Sequence, residues 1–459
     1  MTNVIFILTD DQGPWAAGCY GNSEIRTPNI DRLAQTGMRF DRFFCASPVC
    51  SPSRASFFTG QIPSFHGVHD WIREGNSGDH VATYLEGQIA YTDVLAQNGW
   101  TCGISGKWHL GNSVLPQHGF SHWFVHEKGG GPYHNAPMIQ NGKLFNAPGY
   151  VTHVITDDAL GFIDTHAQDK NPFYLSVHYT APHSPWTGHP QDIVDSYDTC
   201  PFESCPQEPM HPWAGGLTKN CLGNRDMLKG YFAAVTAMDI DVGRLLDRLE
   251  EKNIRNNTLV IFTSDNGFSC GHHGFWGKGN GTYPLNMYEN SVRIPFIASH
   301  PGCIPEGSVE HAMCSAYDFM PTLLDYLNLD LPENPVRPGH SFIKLLLGQS
   351  DVGRDSVVIY DEYGPTRMVR TNDWKYIHRY PNGPNELYDL QKDPDERINR
   401  IDDAAQKNRI AHMQNTLEDW FAHYIRQEKD GRNLPVKGGG QLRPVGGKWE
   451  NGTEAFTGH

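Results

Sequence analysis

Two short polar pairs in this chain follow stretches that have the composition of buried strands. Asp10 and Asp11 come directly after the first apolar run of the chain, and Asp265 and Asn266 come directly after the run 259–264. In an open α/β sheet, side chains that follow parallel strands meet in a crevice at the carboxyl ends of those strands. Their oxygens are hard ligands that suit Ca²⁺ or Mg²⁺ better than Zn²⁺. Either pair alone is most often a turn, but the two pairs are expected to converge on one crevice.

Cys50 opens the run Cys-Ser-Pro-Ser-Arg, which continues to Thr59 and Gly60. Pro52 suits the first turn of a helix and Gly60 suits its end, so Cys50 is predicted at the N-terminal opening of that helix. Free backbone N–H groups and the positive end of the helix dipole would face an anion there. Taken alone, Cys50 would be a buried structural cysteine.

The run from Val49 to Gly60 resembles the signature of the type I, formylglycine-dependent sulfatases of the alkaline phosphatase superfamily. Further segments resemble motifs of that family, in the family's order along the chain. They are a lysine-and-histidine motif at 106–111, a histidine motif at 181–186, a late lysine motif at 274–278 and the stretch 386–394 that closes the C-terminal subdomain. The resemblance covers roughly residues 3 to 400.

The resemblance implies that a maturation enzyme oxidises Cys50 to formylglycine, an aldehyde whose hydrate attacks the sulfur of a sulfate monoester. A serine nucleophile would be left as a stable sulfate ester, whereas the hydrate keeps a second hydroxyl that can expel sulfate by C–O cleavage. The implied products are an alcohol and inorganic sulfate. A sulfated carbohydrate is the expected substrate, with aryl sulfates as a second class.

The resemblance also implies a metal centre and a set of catalytic side chains. The metal is expected to be Ca²⁺, with Mg²⁺ as the alternative, and its ligands are Asp10, Asp11, residue 50 (Cys50), Asp265 and Asn266. Arg54 is expected to steady the hydrate, while Lys107 and Lys278 neutralise sulfate oxygens. His183 is expected to protonate the leaving alkoxide, and His109 to deprotonate the second hydroxyl.

Aromatic and basic residues in or near the motif loops are expected to line a sugar subsite. The predicted substrate-binding residues are His66, Trp71, Arg73, Trp186, His272 and His273. For the tryptophans, packing of the loop scaffold is an equal alternative. Where many relatives read Gly-Glu-His-Gly, this chain reads Gly-His-His-Gly at 271–274, and the extra histidine either contacts substrate or is a neutral change.

Two other functions fit the same motifs. The first is a phosphodiesterase or phosphonate monoester hydrolase that uses the same nucleophile at Cys50. The second is a catalytically silent binder of sulfated glycans in which Cys50 is never oxidised. The presence of both His109 and His183 argues against the binder, because binding alone requires neither an acid nor a base.

Composition limits the partners of the chain. The 459 residues carry a formal net charge of −15, which argues against nucleic acid or an anionic membrane as the partner. The ten cysteines lack Cys-x-x-Cys spacing, and no stretch approaches the roughly 20 apolar residues of a membrane span. The expected partners are therefore a saccharide or small-molecule sulfate ester and the formylglycine-generating enzyme, with a homo-oligomer left open.

The first residues contain no basic region, apolar core or cleavage site of an export signal. A cytoplasmic protein is therefore expected, or a periplasmic or extracellular one if an export signal has been removed.

Alternation of strand-like and helix-like segments predicts an α/β fold with a large, mostly parallel sheet flanked by helices. The predicted strands are 4–8, 101–105, 173–179, 258–264 and 292–298, and the predicted helices are 27–37, 91–98, 229–252, 316–327 and 403–425. After about residue 350 the runs 356–360, 367–370 and 374–377 look antiparallel. Three units follow: a catalytic domain at 1–350, an α+β subdomain with an antiparallel sheet at 351–431, and a glycine-rich tail at 432–459.

The tail contains two large apolar side chains, Trp449 and Phe456, in an otherwise glycine-rich and polar stretch. Because exposing them gains nothing, the tail is predicted to pack on a neighbouring surface, in its own subunit or in another. A disordered end is the alternative.

Overall fold

A computed structural model describes residues 1–78, 81–333, 336–350, 363–446 and 454–457. Its strands are β1 Asn3–Thr9, β2 Met38–Phe44, β3 Thr101–Lys107, β4 Phe120–His126, β5 His134–Gln140, β6 Lys143–Tyr150, β7 Phe173–His178, β8 Thr258–Ser264, β9 Ser269–Cys270, β10 Trp276–Gly277, β11 Arg293–Ser299, β12 Ser308–Glu310, β13 Cys314–Ser315, β14 Thr366–Arg370, β15 Trp374–Arg379 and β16 Glu386–Asp389. Its α-helices are α1 Pro28–Gln35, α2 Cys50–Thr59, α3 Pro63–His66, α4 Tyr91–Gln97, α5 Val151–His166, α6 Gln191–Asp195, α7 Gly216–Cys221, α8 Arg225–Glu251, α9 Glu289–Val292, α10 Phe319–Tyr326, α11 Ile343–Leu346 and α12 Lys407–Tyr424.

The large sheet has the strand order β12-β2-β11-β8-β1-β7-β3-β4-β5-β6, with β13 paired to β2. Its centre, β8-β1-β7-β3-β4, is entirely parallel, so the carboxyl ends of these strands lie along one edge. The mostly parallel sheet expected from the sequence is confirmed. The strand predicted at 292–298 exists as β11, but it runs antiparallel to β8.

The sheet also extends beyond β4 through the antiparallel strands β5 and β6, which the sequence did not predict. Pro137 lies within β5 and Pro148 within β6, and most side chains of β6 are exposed. Proline and the lack of apolar alternation hide such edge strands from pattern analysis.

Alternate residues of the central strands face two separate apolar layers. In β1, Val4, Phe6 and Leu8 join one core, whereas Ile5 and Ile7 join the other. Helices α2 and α10 pack on the first face, and α5 and α8 pack on the second. Both faces of the central strands are thus covered, as the continuous apolar runs predict.

Helix α2 begins at Cys50 and ends at Thr59, as the sequence predicts. Gly60 follows in the left-handed conformation, with φ of 63°, and its N–H donates to the Ser56 carbonyl. A glycine at this position closes the helix without the penalty that a Cβ would incur. All ten residues of α2 are buried, so the site at its start lies in a tightly packed part of the protein.

A second sheet of three antiparallel strands, β14-β15-β16, lies in the C-terminal part of the chain and packs with α12. It confirms the predicted antiparallel hairpin and adds a third strand. Its buried residues, including Met368, Tyr376 and Leu387, belong to the same core as α2. The run 356–360 lies outside the described residues, and the predicted boundary between residues 350 and 351 falls at their edge. The limits of the three predicted units therefore stay predictions.

The described part of the tail, 432–446 and 454–457, lies against its own subunit. Val436 and Val445 are buried, and the Phe456 ring lies 6.3 Å from the ring of His69. Trp449 lies outside the described residues. Among the helices of the described segments, none has the combined length and apolar character needed to span a bilayer.

Candidate active site

The two predicted polar pairs meet at the carboxyl edge of the sheet. Strands β1 and β8 pair in parallel with Thr9 opposite Ser264, and the Asp265 N–H donates to the Thr9 carbonyl at 3.0 Å. Ligand atoms of Asp10, Asp11, Cys50 and Asp265 all lie within 4.8 Å of one another, and all four residues are buried. The sequence-based expectation that these side chains converge therefore agrees with the geometry.

Each of the three carboxylates is paired with a different cation. Lys107, the last residue of β3, contacts Asp10 through its ammonium group. The Arg54 Nε lies 2.8 Å from Asp265 Oδ2, and neither side chain is exposed to solvent. The third pair joins the Lys278 ammonium, which follows β10, to Asp11 Oδ1 at 2.5 Å. These three ion pairs bring β3, α2 and the β9–β10 hairpin to one point.

The nearby cations have different effects on the pKa values of Asp10 and Asp265. Burial raises the pKa of Asp10, but the Lys107 ammonium and the other nearby cations outweigh it, so that this pKa lies well below its usual range. Burial and the negative charge of Asp10 raise the pKa of Asp265 to about 6, against the opposing effect of Arg54. The site thus keeps at least one fully ionised carboxylate at its centre.

The Cys50 side chain lies between the Asp10 carboxylate and the Lys278 ammonium group. Its thiol donates to Asp10 Oδ1 at 3.3 Å, and the Lys278 ammonium donates to its sulfur at 2.8 Å. Burial, together with the Asp10 charge, raises the pKa of the Cys50 thiol to about 12. The unmodified cysteine is therefore a neutral thiol and a weak nucleophile.

The donor set fits a hard divalent cation. The amide nitrogen of Asn266 donates to Asp11 Oδ1 at 2.7 Å and to the Gly267 carbonyl, which fixes the orientation of the amide. Its oxygen Oδ1 is buried and meets no hydrogen-bond donor within the described ranges. An unmatched oxygen beside three carboxylates is the environment that Ca²⁺ or Mg²⁺ completes.

His109 is held in one tautomer. Its Nε2 lies 2.9 Å from the Ile72 carbonyl, which can only accept, so Nε2 carries the proton. Its Nδ1 is buried without a hydrogen-bond partner among the residues that the structure describes. Burial and the Lys107 charge lower the pKa of His109 well below its usual range. The ring is therefore neutral, with Nδ1 as a free proton acceptor.

His183 presents the opposite nitrogen. Its Nδ1 lies 2.7 Å from the Ser184 carbonyl, so this atom is the donor. Its Nε2 faces Asp11 Oδ2 at 3.9 Å, and 27% of the side chain is exposed. A ring with one nitrogen anchored and the other at a solvent-accessible opening can exchange a proton with a bound substrate.

Three consecutive glycines after β4, Gly129, Gly130 and Gly131, lie against the histidines of the site. A Cβ on Gly129 would overlap the His109 ring, and a Cβ on Gly130 would lie 3.0 Å from Cε1 of His183. We call this segment the triglycine loop. The sequence analysis missed it, although a triple glycine shortly after a strand signals a close approach to the backbone.

A cleft of about 260 Å³ opens at the site. Its lining includes Asp11, His183 and Lys278 on one side and the aromatic residues Trp186 and Trp276 among its apolar walls. The combination of an apolar floor and a few convergent charged groups is typical of a ligand pocket. Of the predicted substrate-binding residues, Trp186 is the one that lines this cleft.

The other predicted substrate-binding residues occupy different surroundings. Both ring nitrogens of His66 hydrogen-bond inside the chain, to Ser56 and Val68, so a substrate contact would require the loss of one bond. Trp71 is half-buried and Arg73 is exposed, and both lie beside the tail. The His272 ring contacts Trp15 and the Ser204 carbonyl. The His273 ring stacks on that of Tyr288, with the ring centres 4.0 Å apart. Their assignment to substrate stays a prediction.

Comparison with known proteins agrees with this site. The family model described as Sulfatase matches residues 2–329, and the model described as N-sulphoglucosamine sulphohydrolase, C-terminal, matches residues 271–423. An N-acetylglucosamine-6-O-sulfatase of Bacteroides thetaiotaomicron is 28% identical, with 93% of this chain and 88% of that protein covered. Arylsulfatase A of Homo sapiens is 30% identical, with 88% of this chain and 84% of that protein covered.

A solved structure, that of a protein in complex with its substrate D-glucosamine-2-N,6-O-disulfate, matches with a TM-score of 0.79 and 26% identity over 94% of this chain and 99% of that one. The fold is that of the alkaline phosphatase superfamily, and the site is that of a hydrolase for anionic esters. The chain belongs to the sulfatase family and is a sulfuric ester hydrolase. The resemblance found in the sequence motifs is confirmed.

The triglycine loop provides a test of how tightly His109 must be held. The Gly129→Ala substitution should lower kcat by about 100-fold, because its methyl group displaces the ring, and a misplacement of about 1 Å can cost that much. The matched control is Gly161→Ala in α5, where a Cβ meets nothing within 4 Å. Steady-state kinetics on purified, folded variants measures the effect, and a Gly129→Ala enzyme with the kcat of the parent would contradict it.

Proposed function

We propose that this protein hydrolyses the sulfate monoester of a carbohydrate, with a formylglycine at residue 50 as the nucleophile and one Ca²⁺ or Mg²⁺ at the carboxylate cluster. The observation that carries the proposal is the buried group of Cys50, three carboxylates and three cations at the start of α2. A structural cysteine would not need three ion pairs arranged around it, because burying charges is costly unless the site uses them.

The modified residue and the metal supply chemistry that the unmodified chain lacks. A formylglycine hydrate supplies one hydroxyl to attack sulfur and a second whose deprotonation expels sulfate, and a hard cation supplies Lewis acidity. Asp10, Asp11, Asp265 and Asn266 would hold that cation. The sequence-based ligand set, with residue 50 as its fifth member, is therefore retained in the proposal.

The chain's own cations prepare the site for sulfate. Lys107 and Lys278 lie beside Asp10, Asp11 and Cys50, where they neutralise an anionic substrate. Arg54 holds Asp265 and also donates to the Lys107 carbonyl at 2.8 Å, so it fixes both a carboxylate and the lysine segment. Such preorganised charges in a buried site stabilise a charged transition state without reorganisation.

The tautomers of the two histidines support the roles proposed for them. His183 directs Nε2 at the cleft, where the leaving group of an ester bound at residue 50 would lie, so it serves as the acid for the alkoxide. His109 offers a buried, unprotonated Nδ1 and serves as the base for the second hydroxyl. One ring completes the departure of the alcohol, and the other the departure of sulfate.

A sugar sulfate is the proposed substrate class. Among the relatives, one is named for action on N-acetylglucosamine-6-O-sulfate groups, and a structural neighbour was solved with a disulfated glucosamine. Trp186, which lines the cleft beside His183 and Lys278, is the proposed contact for the apolar face of a sugar ring. Arg73, exposed beside the tail, is the proposed contact for a further polar group.

The decisive experiment is the mass of the peptide that contains residue 50. Active enzyme should carry an aldehyde at this position, and Cys50→Ala should lower sulfate release by about 10⁴-fold or more while the protein stays folded. Matched aryl sulfate and aryl phosphate diester substrates separate sulfatase from phosphodiesterase activity. A fully active preparation that keeps its Cys50 thiol would refute the proposal.

Removal of the metal tests the ligand assignment. A chelator should abolish activity, and Ca²⁺ or Mg²⁺ should restore it, since the donors are oxygens. Asn266→Ala removes the unmatched oxygen and should weaken the apparent affinity for the cation by 10-fold or more, on the order of a lost ligand. Tightly bound zinc with sulfur ligands, or full activity after chelation, would contradict the assignment.

The division of labour between the histidines predicts different kinetic defects. His183→Ala should slow a sugar sulfate by about 10²–10⁴-fold but an activated aryl sulfate far less, because a phenolate of low pKa leaves without protonation. His109→Ala should instead release alcohol in a burst while sulfate release lags. Rapid-quench assays that measure alcohol and sulfate separately distinguish the two, and equal losses on both substrates for His183→Ala would refute the division.

A further inference from the structure

The tail pairs with a loop that borders the active site. We call residues 67–73 the base-support loop. Gln441 forms a parallel bridge with Ile72: its N–H donates to the Trp71 carbonyl at 2.7 Å, and its carbonyl accepts from the Arg73 N–H at 2.9 Å. The tail thus adds a short strand to this loop, although more than 360 residues separate them in the sequence.

The side chain of Gln441 secures the other end of the same loop. Its Oε1 accepts from the His69 N–H at 2.9 Å, and its Nε2 donates to the Gly67 carbonyl at 3.0 Å. The residue is fully buried. One side chain therefore satisfies a backbone donor and a backbone acceptor of the base-support loop, and both would be left unpaired in the interior without it.

A buried carboxylate adds a third link. Asp70 accepts from the Gly440 N–H of the tail at 2.9 Å, from the Trp71 N–H at 2.8 Å and from the Tyr363 hydroxyl at 3.2 Å. The loop is thus connected to the tail and to the C-terminal part of the chain by charge-assisted hydrogen bonds, which are stronger than neutral ones.

The base-support loop in turn holds the catalytic histidine. The Ile72 carbonyl accepts from His109 Nε2 at 2.9 Å. The Ile72 N–H donates to Ser51 Oγ at 3.1 Å, and the Ser51 hydroxyl donates to the His109 carbonyl at 2.9 Å. The backbone of one residue, Ile72, therefore fixes both the ring of His109 and the residue next to Cys50.

We propose that the C-terminal tail is a positioning element of the active site: through Gln441 and Gly440 it fixes the base-support loop, and so holds the His109 ring by its Nε2 and leaves Nδ1 as the proton acceptor. The inference rests on the proposed function. Gln441 acts through Ile72 and is a positioning residue, because it touches neither substrate nor the reacting atoms.

The proposed role concerns one step of the reaction. There, His109 Nδ1 takes the proton of the remaining hydroxyl, the oxygen's electron pair forms the C=O bond, and the C–O bond to sulfate breaks with its pair leaving on sulfate. No oxidant or reductant is needed. If the tail loosens, this step slows, whereas the departure of the alcohol, which depends on His183, keeps its rate.

Two neighbouring glycines of the tail give a matched pair of variants. Gly440 has φ of 97°, and a Cβ there would lie 2.8 Å from Cβ of Arg73 and 2.9 Å from the Trp71 ring. Gly439 has no positive φ, is exposed, and its Cβ would meet nothing within 4 Å. Gly440→Ala should therefore disturb the docked tail, and Gly439→Ala should leave it unchanged.

The kinetic experiment uses the full-length enzyme and an activated aryl sulfate. Gly440→Ala should lower kcat by about 10-fold to 100-fold and convert alcohol release into a burst that sulfate release follows slowly. Gly439→Ala should match the parent. A Gly440→Ala enzyme with parental kcat, or one in which alcohol and sulfate slow together without a burst, would overturn the proposal, since the latter is the result of a purely structural role.

A second measurement does not depend on activity or on the modification of Cys50. In protein with ¹⁵N-labelled histidine, the Nε2 proton of His109 should exchange slowly with water, because the Ile72 carbonyl holds it; the resonance is assigned by its loss in His109→Ala. Gln441→Leu, which removes the polar contacts of this side chain, should speed that exchange, and Gly439→Ala should not. Unchanged exchange in Gln441→Leu would overturn the proposal, even if Gly440→Ala fails to fold.

The two proposals fail in different ways. If the parent protein releases no sulfate from any sulfate ester, the proposed function is wrong, while the histidine exchange data still report on the tail. If the parent is an active sulfatase and the Gly440→Ala and Gln441→Leu variants behave like it, the role of the tail is wrong and the function stands.

Discussion

Burial of three carboxylates at the ends of β1 and β8 is the constraint on which the rest of the site depends. Charges without solvent are tolerated only when they are paired, so Asp10, Asp11 and Asp265 each require a cation within contact distance. Lys107, Arg54 and Lys278 meet that requirement from three different elements, β3, α2 and the β9–β10 hairpin. The need to neutralise the carboxylates therefore also gathers the groups that can bind sulfate.

This cluster could be predicted from the sequence because each pattern that indicates it lies within a single strand or helix and the residues next to it. An apolar run followed by acids, or a helix start marked by Cys50 and Pro52, is complete within about ten residues. The surroundings of His66 and His273 could not be read in the same way, since long-range packing decides whether a ring is buried. Strands β5 and β6 escaped because Pro137 and exposed side chains blur their alternation.

Backbone contacts are the features that the sequence conceals most fully. The Ile72 carbonyl fixes the tautomer of His109, and any residue at position 72 would supply the same atom. Asp11 and His109 both adopt left-handed backbone conformations, with φ of 67° and 55°, which cost energy for residues other than glycine. Such conformations persist only when neighbouring contacts impose them, here the ion pair with Lys278 and the bond to Ile72.

The two histidines show how one fold can prepare the same type of side chain for the two proposed roles of acid and base. His109, the proposed base, is buried, and burial with the nearby Lys107 lowers its pKa, so that it stays neutral and can accept a proton. His183, the proposed acid, reaches the cleft, and the ring nitrogen that does not contact Ser184 faces the Asp11 carboxylate. Depth, rather than residue type, separates the two proposed roles. Because the segments packed around each ring set its depth, the triglycine loop and the docked tail are part of the proposed catalytic arrangement, together with the charged residues.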